Sequence, residues 1–318
     1  MKTLATNFLL CYAFFICAQT PQLFPSIPKP NEFGFVYPEA ASPVNIQTAV
    51  QKEYTRVTQW YETYNKGETD ESGMIWSQPI ASYQACVLQL NAKGVENMTF
   101  YRAENNRLRR LDYYYINGLV SAIDEFKFDA EEKEQLAFTD VYFYEADGRP
   151  AQRTRQFPRD KGLREMITYR FDAENKLQKQ KTEYSGQATK AQTISLIETG
   201  KQLISWEYGS TTRRSIFQNG NELVEMHEYE MQNGLPTNIR RYGRNYTVVS
   251  ESQCHYDGDK LQRISTQLSH AATISKDNPN ASPRIETFFF YNEEGLLERI
   301  IVEQGDLQEV FNYSYSQN

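Results

Sequence analysis

The chain has few histidines, few cysteines and no excess of basic charge. Its 318 residues include 3 His, 4 Cys, and 34 Lys and Arg against 41 Asp and Glu, which gives a formal net charge of −7. Nucleic-acid binding needs clusters of basic side chains that neutralise phosphates. The runs Arg107–Arg110 and Arg240–Arg241 are too short for that and are typical of solvated strand faces. The sequence therefore predicts no nucleic-acid partner.

Motifs of well-known chemistry are also missing. The sequence has no Gly-X-Ser-X-Gly elbow, His-Glu-X-X-His zinc motif, P-loop or dinucleotide fingerprint. Cys, His and two Asp crowd together only at Cys254–Asp259, where the Asp-Gly-Asp unit indicates a turn rather than the ligand spacing of a zinc or calcium loop. We predict no catalytic residue, no cofactor and no metal ion. A triad or carboxylate pair assembled in space leaves no such motif, so a hydrolase of envelope glycan or peptide stays as an alternative.

Long apolar runs are confined to the N-terminus. Lys2 followed by the apolar run Phe8–Cys17 and then Ala18 predicts a cleavable signal peptide over residues 1–18. The bulky residues that precede Cys11 and Cys17 argue against lipidation. With a mean hydropathy of −0.67, we expect no transmembrane segment after signal removal and a secreted or periplasmic location.

Two cysteines, Cys86 and Cys254, remain beyond residue 18. An oxidising compartment allows a disulfide between them. In a flat meander they would lie many strands apart, at about 4.8 Å per strand, whereas a disulfide needs α-carbons within about 7 Å. A bond would therefore require the sheet to coil back on itself. The alternative is two buried thiols.

Aromatic pairs that lead into polar turns dominate the rest of the chain. In Tyr169–Leu177, Tyr169 and Phe171 point to one face of a strand, Asp172–Asn175 supply a turn, and Leu177 starts the return strand. Related copies, several with Asn-Gly or Asp-Gly turns, lie at Tyr142–Arg149, Cys254–Leu261, Phe289–Leu296, Asn117–Leu119, Asn219–Leu223 and Asn233–Leu235. This recurrence predicts an all-β fold, a long antiparallel meander of β-hairpins in a curved or coiled sheet.

The copies resemble the tyrosine-aspartate (YD) repeats of RHS-type bacterial surface and toxin-shell proteins. That pattern is roughly an aromatic pair, Asp, two or three residues, Gly, Arg or Lys, and Leu. Tyr169–Leu177 has Asn175 in place of the Gly, and Tyr142–Arg149 has Glu145 in place of the Asp. The resemblance covers about two-thirds of the chain. It implies a β-sheet or shell and supplies no catalytic residues.

A second regularity places a Leu and another apolar residue three positions apart. In a regular strand this spacing puts the two side chains on opposite faces. Either both faces are partly covered, or a β-bulge lies between the two residues and bends the strand; we favour the bulge. The pairs are Leu108/Leu111, Leu203/Trp206, Leu223/Met226, Leu261/Ile264 and Leu297/Ile300.

The chain divides into a signal peptide, a leader and one domain. Residues 19–43 are rich in Pro, which predicts an extended leader. Residues 44–318 read as a single β-repeat domain, because no shift in composition divides the repeats. Residues 44–64 fit helical and alternating periodicity nearly equally, and we predict a short helix followed by a strand.

Aromatic side chains are the best functional candidates. The chain has 22 Tyr, 18 Phe and 3 Trp, and those left outside a core make a platform for sugars or peptides. The alternative is a ladder that only stabilises the sheet. We select Trp60, Trp76 and Trp206 as the ligand platform. The sequence predicts a non-enzymatic binding or structural module of the bacterial cell envelope, with envelope polysaccharide or protein as partner; a carrier of an apolar ligand is another alternative.

Overall fold

The computed structural model describes residues 46–70, 73–76, 79–102, 105–158, 163–173, 177–185, 202–219, 221–269 and 283–317. The predicted signal peptide of residues 1–18 and leader of residues 19–43 lie outside these ranges. Among the residues described, no helix is long and apolar enough to cross a bilayer.

One short helix and nineteen strands make up most of the described residues. Helix α1 spans Ile46–Gln51 and strand β1 begins at Arg56, as predicted for this region. A 3-10 turn at Arg244–Tyr246 precedes the strand that begins at Val248. The strands are β1 Arg56–Asp70, β2 Gly73–Trp76, β3 Ala81–Asn91, β4 Gly94–Tyr101, β5 Arg107–Ile116, β6 Leu119–Phe128, β7 Glu134–Tyr144, β8 Pro150–Gln156, β9 Arg164–Phe171, β10 Leu177–Ser185, β11 Gln202–Tyr208, β12 Thr212–Asn219, β13 Glu222–Gln232, β14 Leu235–Tyr242, β15 Val248–Asp257, β16 Lys260–Leu268, β17 Arg284–Tyr291, β18 Leu297–Gln304 and β19 Leu307–Ser316.

All nineteen strands belong to one antiparallel sheet, and the first strand of this sheet pairs with the last. From β3 to β19, each strand pairs with the next one along the chain. Strand β1 pairs with β3 on one side and with β19 on the other, whereas the short β2 pairs with the far end of β1. With β2 set aside, the other strands form a closed ring. The all-β antiparallel meander is confirmed, and the sheet is coiled rather than flat.

Two-residue Asn-Gly turns form hairpins where the sequence predicted them. Asn117 and Gly118 have φ values of +52° and +78°, and Asn233 and Gly234 have +53° and +82°. Positive φ at both central residues matches the right-handed twist of the flanking strands. Asn and Gly tolerate this conformation better than other residues do, so these turns fix the registers of β5 with β6 and of β13 with β14.

β-bulges explain most of the Leu-x-x-apolar spacings. Tyr256 pairs with Leu261 and His255 pairs with Arg263, so Gln262 is an extra residue, and both Leu261 and Ile264 are buried in the core. Equivalent register shifts occur at Leu223/Met226 and Leu297/Ile300. At Leu108/Leu111 the extra residue is Leu108 itself, so the bulge does not lie between the two residues. The pair Leu203/Trp206 is different: β11 has no shift with either neighbour, so the two positions lie on opposite faces of a regular strand.

Tyrosine hydroxyls satisfy the backbone carbonyls at five β-bulges of the sheet. Each tyrosine is the last or next-to-last residue of its strand. Each acceptor carbonyl belongs to the residue just before the extra residue of the bulge on the preceding strand. A bulge interrupts the ladder and leaves backbone groups unpaired. The bonds are Tyr115 Oη to Val95 O at 2.9 Å, Tyr144 Oη to Val120 O at 2.6 Å, Tyr256 Oη to Pro236 O at 2.9 Å, Tyr291 Oη to Leu261 O at 3.0 Å and Tyr315 Oη to Leu297 O at 2.7 Å.

Replacing Tyr291 with Phe is expected to lower the free energy of unfolding by about 1 kcal/mol, because the Leu261 carbonyl loses its donor. The ring itself can stay in place, since Phe171 occupies the equivalent position before another turn. Urea unfolding measures the change. Tyr246→Phe is the matched control, because that side chain is 64% exposed and should unfold like wild type. Equal stability of Tyr291→Phe and wild type would contradict the proposed role of the hydroxyl.

The two faces of the ring differ sharply in burial. On β1, Val57, Gln59 and Tyr61 are almost fully buried, whereas Arg56 and Trp60 are exposed. We name these the inner and the outer face. One apolar core cluster follows the inner face along the arc from β15 through β19, β1 and β3 to β7. Its most deeply buried large side chains include Tyr61, Phe100, Phe311, Met98, Leu261, Leu297 and Ile300.

Ion pairs lie among the buried apolar side chains on the inner face of β7–β9. Asp140 is 3% exposed and accepts two hydrogen bonds from Arg155, at 2.8 and 2.9 Å. Arg153 lies 3.7 Å from Asp140 and 2.5 Å from Glu165. The register places Asp140, Arg155 and Glu165 side by side. The buried carboxylate of Asp140 therefore forms ion pairs with two guanidinium groups.

A single carboxyl group is buried where the ring closes. Glu309 on β19 faces Thr63 of β1 and is 1% exposed. Its Oε1 accepts a 2.5 Å hydrogen bond from the Tyr61 hydroxyl, and its Oε2 has no hydrogen-bond partner among the described residues. Burial raises the pKa of Glu309 to about 7, although the bond from Tyr61 lowers it. The carboxyl is therefore half protonated near neutral pH.

Candidate functional site

A row of aromatic and planar polar side chains crosses the outer face where the ring closes. The register aligns Phe290 of β17, Arg299 of β18, Asn312 of β19, Trp60 of β1 and Gln84 of β3. Phe290 is 45% and Trp60 is 41% exposed. Three strand spacings separate the two rings, which corresponds to about 14 Å. We name these five residues the outer row.

Hydrogen bonds hold the polar members of the outer row in place. Arg299 Nε donates to Asn312 Oδ1 at 2.8 Å, and Asn312 Nδ2 donates to Glu62 Oε2 at 3.2 Å. Glu62 also accepts bonds from Tyr64 at 2.9 Å and from Ser82 at 3.4 Å. The amide of Asn312 is thereby fixed between a donor and an acceptor. A fixed amide loses less side-chain entropy when it binds a ligand.

Tyr64 lies beside the outer row, between the carboxylate of Glu62 and the guanidinium of Arg299. Burial and the hydrogen bond to Glu62 raise the pKa of Tyr64, and the nearby Arg299 opposes this. Tyr64 therefore stays protonated at neutral pH and acts as a donor. The row offers two aromatic faces with amide, guanidinium and carboxylate groups between them, which suits a ligand with apolar faces and many hydroxyl groups.

The three tryptophans selected from the sequence lie on three different strands. Trp60 belongs to the outer row, Trp76 ends β2 and Trp206 lies on β11, about halfway around the ring from β1. The side chains of Trp76 and Trp206 lie outside what the structure describes. The structure therefore gives an exposed side chain for Trp60 alone, and a platform shared by the three tryptophans stays a prediction.

The outer row contains residues that sequence reasoning missed. Phe290 ends the run Phe288-Phe289-Phe290, and in a strand such a run must place rings on both faces. Phe289 is buried whereas Phe290 is exposed, so this run was a usable signal. Arg299 and Asn312 carry no local signal, because only the register across β17, β18, β19 and β1 brings them between the aromatic rings.

Cys86 and Cys254 are both buried free thiols on the inner face. Burial raises the pKa of the Cys254 thiol to about 12, opposed by a hydrogen bond with Tyr256. Six strand pairings separate β3 from β15 around the ring. The sheet does coil back on itself, yet the structure contains no disulfide between these two residues.

The Cys254–Asp259 segment forms a hairpin turn. Cys254 is buried and His255 is exposed, because consecutive strand residues point to opposite faces. Gly258 occupies the turn with φ of +62°. Across the described part of the chain, no group of three or more His, Cys, Asp or Glu side chains could hold a metal ion.

No family model and no curated protein matches the chain. Solved structures match at low identity. A porin-like protein from Bacteroides uniformis is 12% identical over 83% of this chain and 96% of its own, with a TM-score of 0.40. One from Bacteroides vulgatus is 12% identical over 62% and 98%, with a TM-score of 0.30. TcdB2-TccC3 is 12% identical over 72% of this chain and 14% of its own, with a TM-score of 0.28. TM-scores below 0.5 are too low to establish a common function.

Proposed function

We propose that the chain is a secreted or periplasmic binding module of the bacterial cell envelope that holds polysaccharide on its outer row. The observation that carries the proposal is the alignment of Trp60 and Phe290, both exposed, on either side of the hydrogen-bonded pair Arg299 and Asn312. The sequence resemblance to YD-repeat surface proteins points to the same compartment and stays a prediction.

Polysaccharide suits the outer row better than other ligands do. The C–H faces of a sugar ring stack on aromatic rings, and its hydroxyls pair with amide, guanidinium and carboxylate groups. An extended chain of sugars can span the about 14 Å between Phe290 and Trp60, which a single small molecule would not. Glu62 already accepts three hydrogen bonds and so acts as a positioning residue for Asn312.

Replacing Trp60 with Ala is expected to weaken retention by polysaccharide about tenfold, which corresponds to about 1.4 kcal/mol. Affinity electrophoresis through gels that contain polysaccharide extracted from the host envelope measures the retention. New reducing ends are assayed in the same mixtures. Because Trp60 is exposed, the thermal midpoint should change little.

Phe143→Ala is the matched control, since Phe143 is exposed to a similar extent but lies on β7, away from the outer row. Retention of Trp60→Ala equal to that of wild type would contradict the outer row as the binding site. Release of new reducing ends by the wild type would favour the hydrolase alternative instead.

A further inference from the structure

A second surface on the outer face combines apolar side chains with surplus negative charge. Tyr114, Ile116, Leu119 and Phe143 are 48%, 65%, 38% and 51% exposed. They lie on β5–β7 near the turns that end β5 and β7. We name these four residues the apolar patch.

The register brings the members of the apolar patch together. Ile116 pairs with Leu119 across the Asn117-Gly118 turn, and Leu119 lies against Gly148 in the turn between β7 and β8. Tyr114 aligns with Ala122, which aligns with Val141, two residues before Phe143 on the same face. Scattered exposed apolar residues need no explanation, but a contiguous group marks an interaction surface.

Carboxylates flank the patch with too few cations to neutralise them. Asp112 and Asp124 lie directly opposite each other on β5 and β6, an arrangement of like charges that destabilises a sheet. Arg110 binds Asp112 in a bidentate manner and binds Glu134 with the same guanidinium. In the described structure, Asp124 accepts hydrogen bonds from Thr139 at 2.6 Å and from Tyr114 and takes part in no ion pair. Two carboxylates therefore share one guanidinium, and the carboxylate of Asp124 has no cationic partner among the described residues.

These two observations define the chemistry of an occupant. An apolar surface beside unneutralised carboxylates favours a segment that carries apolar and cationic side chains together, and it disfavours nucleic acid and anionic lipid. Strands β5, β6 and β7 are paired on both sides, so an occupant cannot add as a further strand. It must bind through its side chains.

We infer that the apolar patch, together with Asp112 and Asp124, is a docking surface for an extended polypeptide segment that carries both apolar residues and Lys or Arg at every second position, so that both kinds of side chain point to the same face. The apolar side chains lie over Tyr114, Ile116, Leu119 and Phe143. A cationic group reaches Asp124 and relieves its repulsion from Asp112. This surface is separate from the outer row, so it gives the module a protein partner in addition to polysaccharide.

The test uses the whole mature chain and a fluorescent ten-residue peptide in which leucine and lysine take turns at every second position, with serine at the positions between them. The matched probe has glutamate in place of each lysine. We expect the lysine peptide to bind wild type at least tenfold more tightly, by fluorescence anisotropy at low salt, and to lose affinity as salt is added. Equal affinity for the two peptides would overturn the proposal.

Variants separate the two parts of the surface. Phe143→Ser should weaken the lysine peptide about tenfold and Asp124→Asn about three- to tenfold, whereas Trp60→Ala should bind it like wild type. Asp124→Asn removes a like-charge pair and should not lower the thermal midpoint, so its loss of binding cannot come from unfolding. Unchanged binding by Phe143→Ser and Asp124→Asn, or an equal loss in Trp60→Ala, would overturn the proposal. A further result would also overturn it: the wild type is a dimer, Phe143→Ser is a monomer, and the wild type binds the lysine and glutamate peptides equally. In that case a second copy of the chain occupies the patch.

Discussion

Replacing Asp140 with Ala is expected to lower the free energy of unfolding by about 3–5 kcal/mol, the range found when one partner of a buried ion pair is removed. Asp140 is 3% exposed and receives both hydrogen bonds of Arg155 as well as the charge of Arg153. Alanine would leave Arg155 without its carboxylate and Arg153 with Glu165 alone. Urea unfolding at pH 7 measures the loss.

The physical cause of that loss is the guanidinium left behind rather than the bond removed. A double variant, Asp140→Ala with Arg155→Ala, should therefore lose clearly less than the sum of the two single variants. Additive losses would show that the two side chains act separately and would contradict the mechanism. Glu251→Ala is the matched control: Glu251 pairs with Arg240 on the outer face at 2.5 Å and is 50% exposed, so its removal should cost less than about 1 kcal/mol.

The local architecture of the sheet could be predicted from the sequence because it depends on neighbours along the chain. Asn117-Gly118 and Asn233-Gly234 form the expected turns, and the spacing of Leu261 and Ile264 correctly indicates a bulge. The same spacing at Leu203/Trp206 produces no bulge. A spacing of three is compatible with either arrangement, and only the pairing of β11 with its neighbours decides between them.

Closure of the ring could not be predicted from local patterns. It depends on the pairing of Arg56–Asn65 with Leu307–Ser316, segments at opposite ends of the described chain with no turn between them. The tyrosine bonds to bulge carbonyls, such as Tyr291 to Leu261, depend equally on register. Aromatic pairs before turns were visible in the sequence, but the partner of each hydroxyl lies on another hairpin.

The candidate site could likewise be predicted only in part, because it depends on strand pairing between distant segments. Trp60 was selected because a large aromatic residue in a sheet with one open face is a natural platform. Phe290, Arg299 and Asn312 become its neighbours only through ring closure. The inner-face carboxyl groups were equally hard to recognise, since Asp140 and Glu309 occupy alternating strand positions that look like those of solvated acidic residues.

Replacing Glu309 with Gln is expected to remove a pH dependence of about 3 kcal/mol from the free energy of unfolding. Burial raises the pKa of Glu309 from 4.5 to about 7 in the folded protein, and this difference corresponds to about 3 kcal/mol. The folded state therefore holds the proton more tightly than the unfolded state does. The contribution of Glu309 is complete below pH 4.5, falls as the pH rises from 4.5 to 7, and is lost above pH 7.

Glutamine keeps the shape of the protonated carboxyl and carries no charge, so it should avoid the cost of burying an anion beside Tyr61 and Tyr83. We expect Glu309→Gln to match wild type at pH 4.5 and to exceed it by about 3 kcal/mol at pH 8.5, measured by urea unfolding across this range. Every other titratable group is common to both proteins, so its contribution cancels in the difference. Parallel curves for the two proteins would contradict the prediction.

The pKa of Glu286 is shifted in the opposite direction from that of Glu309. Although burial opposes the effect, hydrogen bonds from Arg263, Ser265 and Arg284 lower the pKa of Glu286 to about 2. Its contribution is present above pH 4.5 and is lost as the pH falls towards 2, outside the window of Glu309. Glu286→Gln should therefore lose stability at neutral pH, whereas Glu309→Gln should gain it. The same substitution thus has opposite effects at two carboxylates, because one is surrounded by cationic donors and the other by aromatic rings and a single hydroxyl.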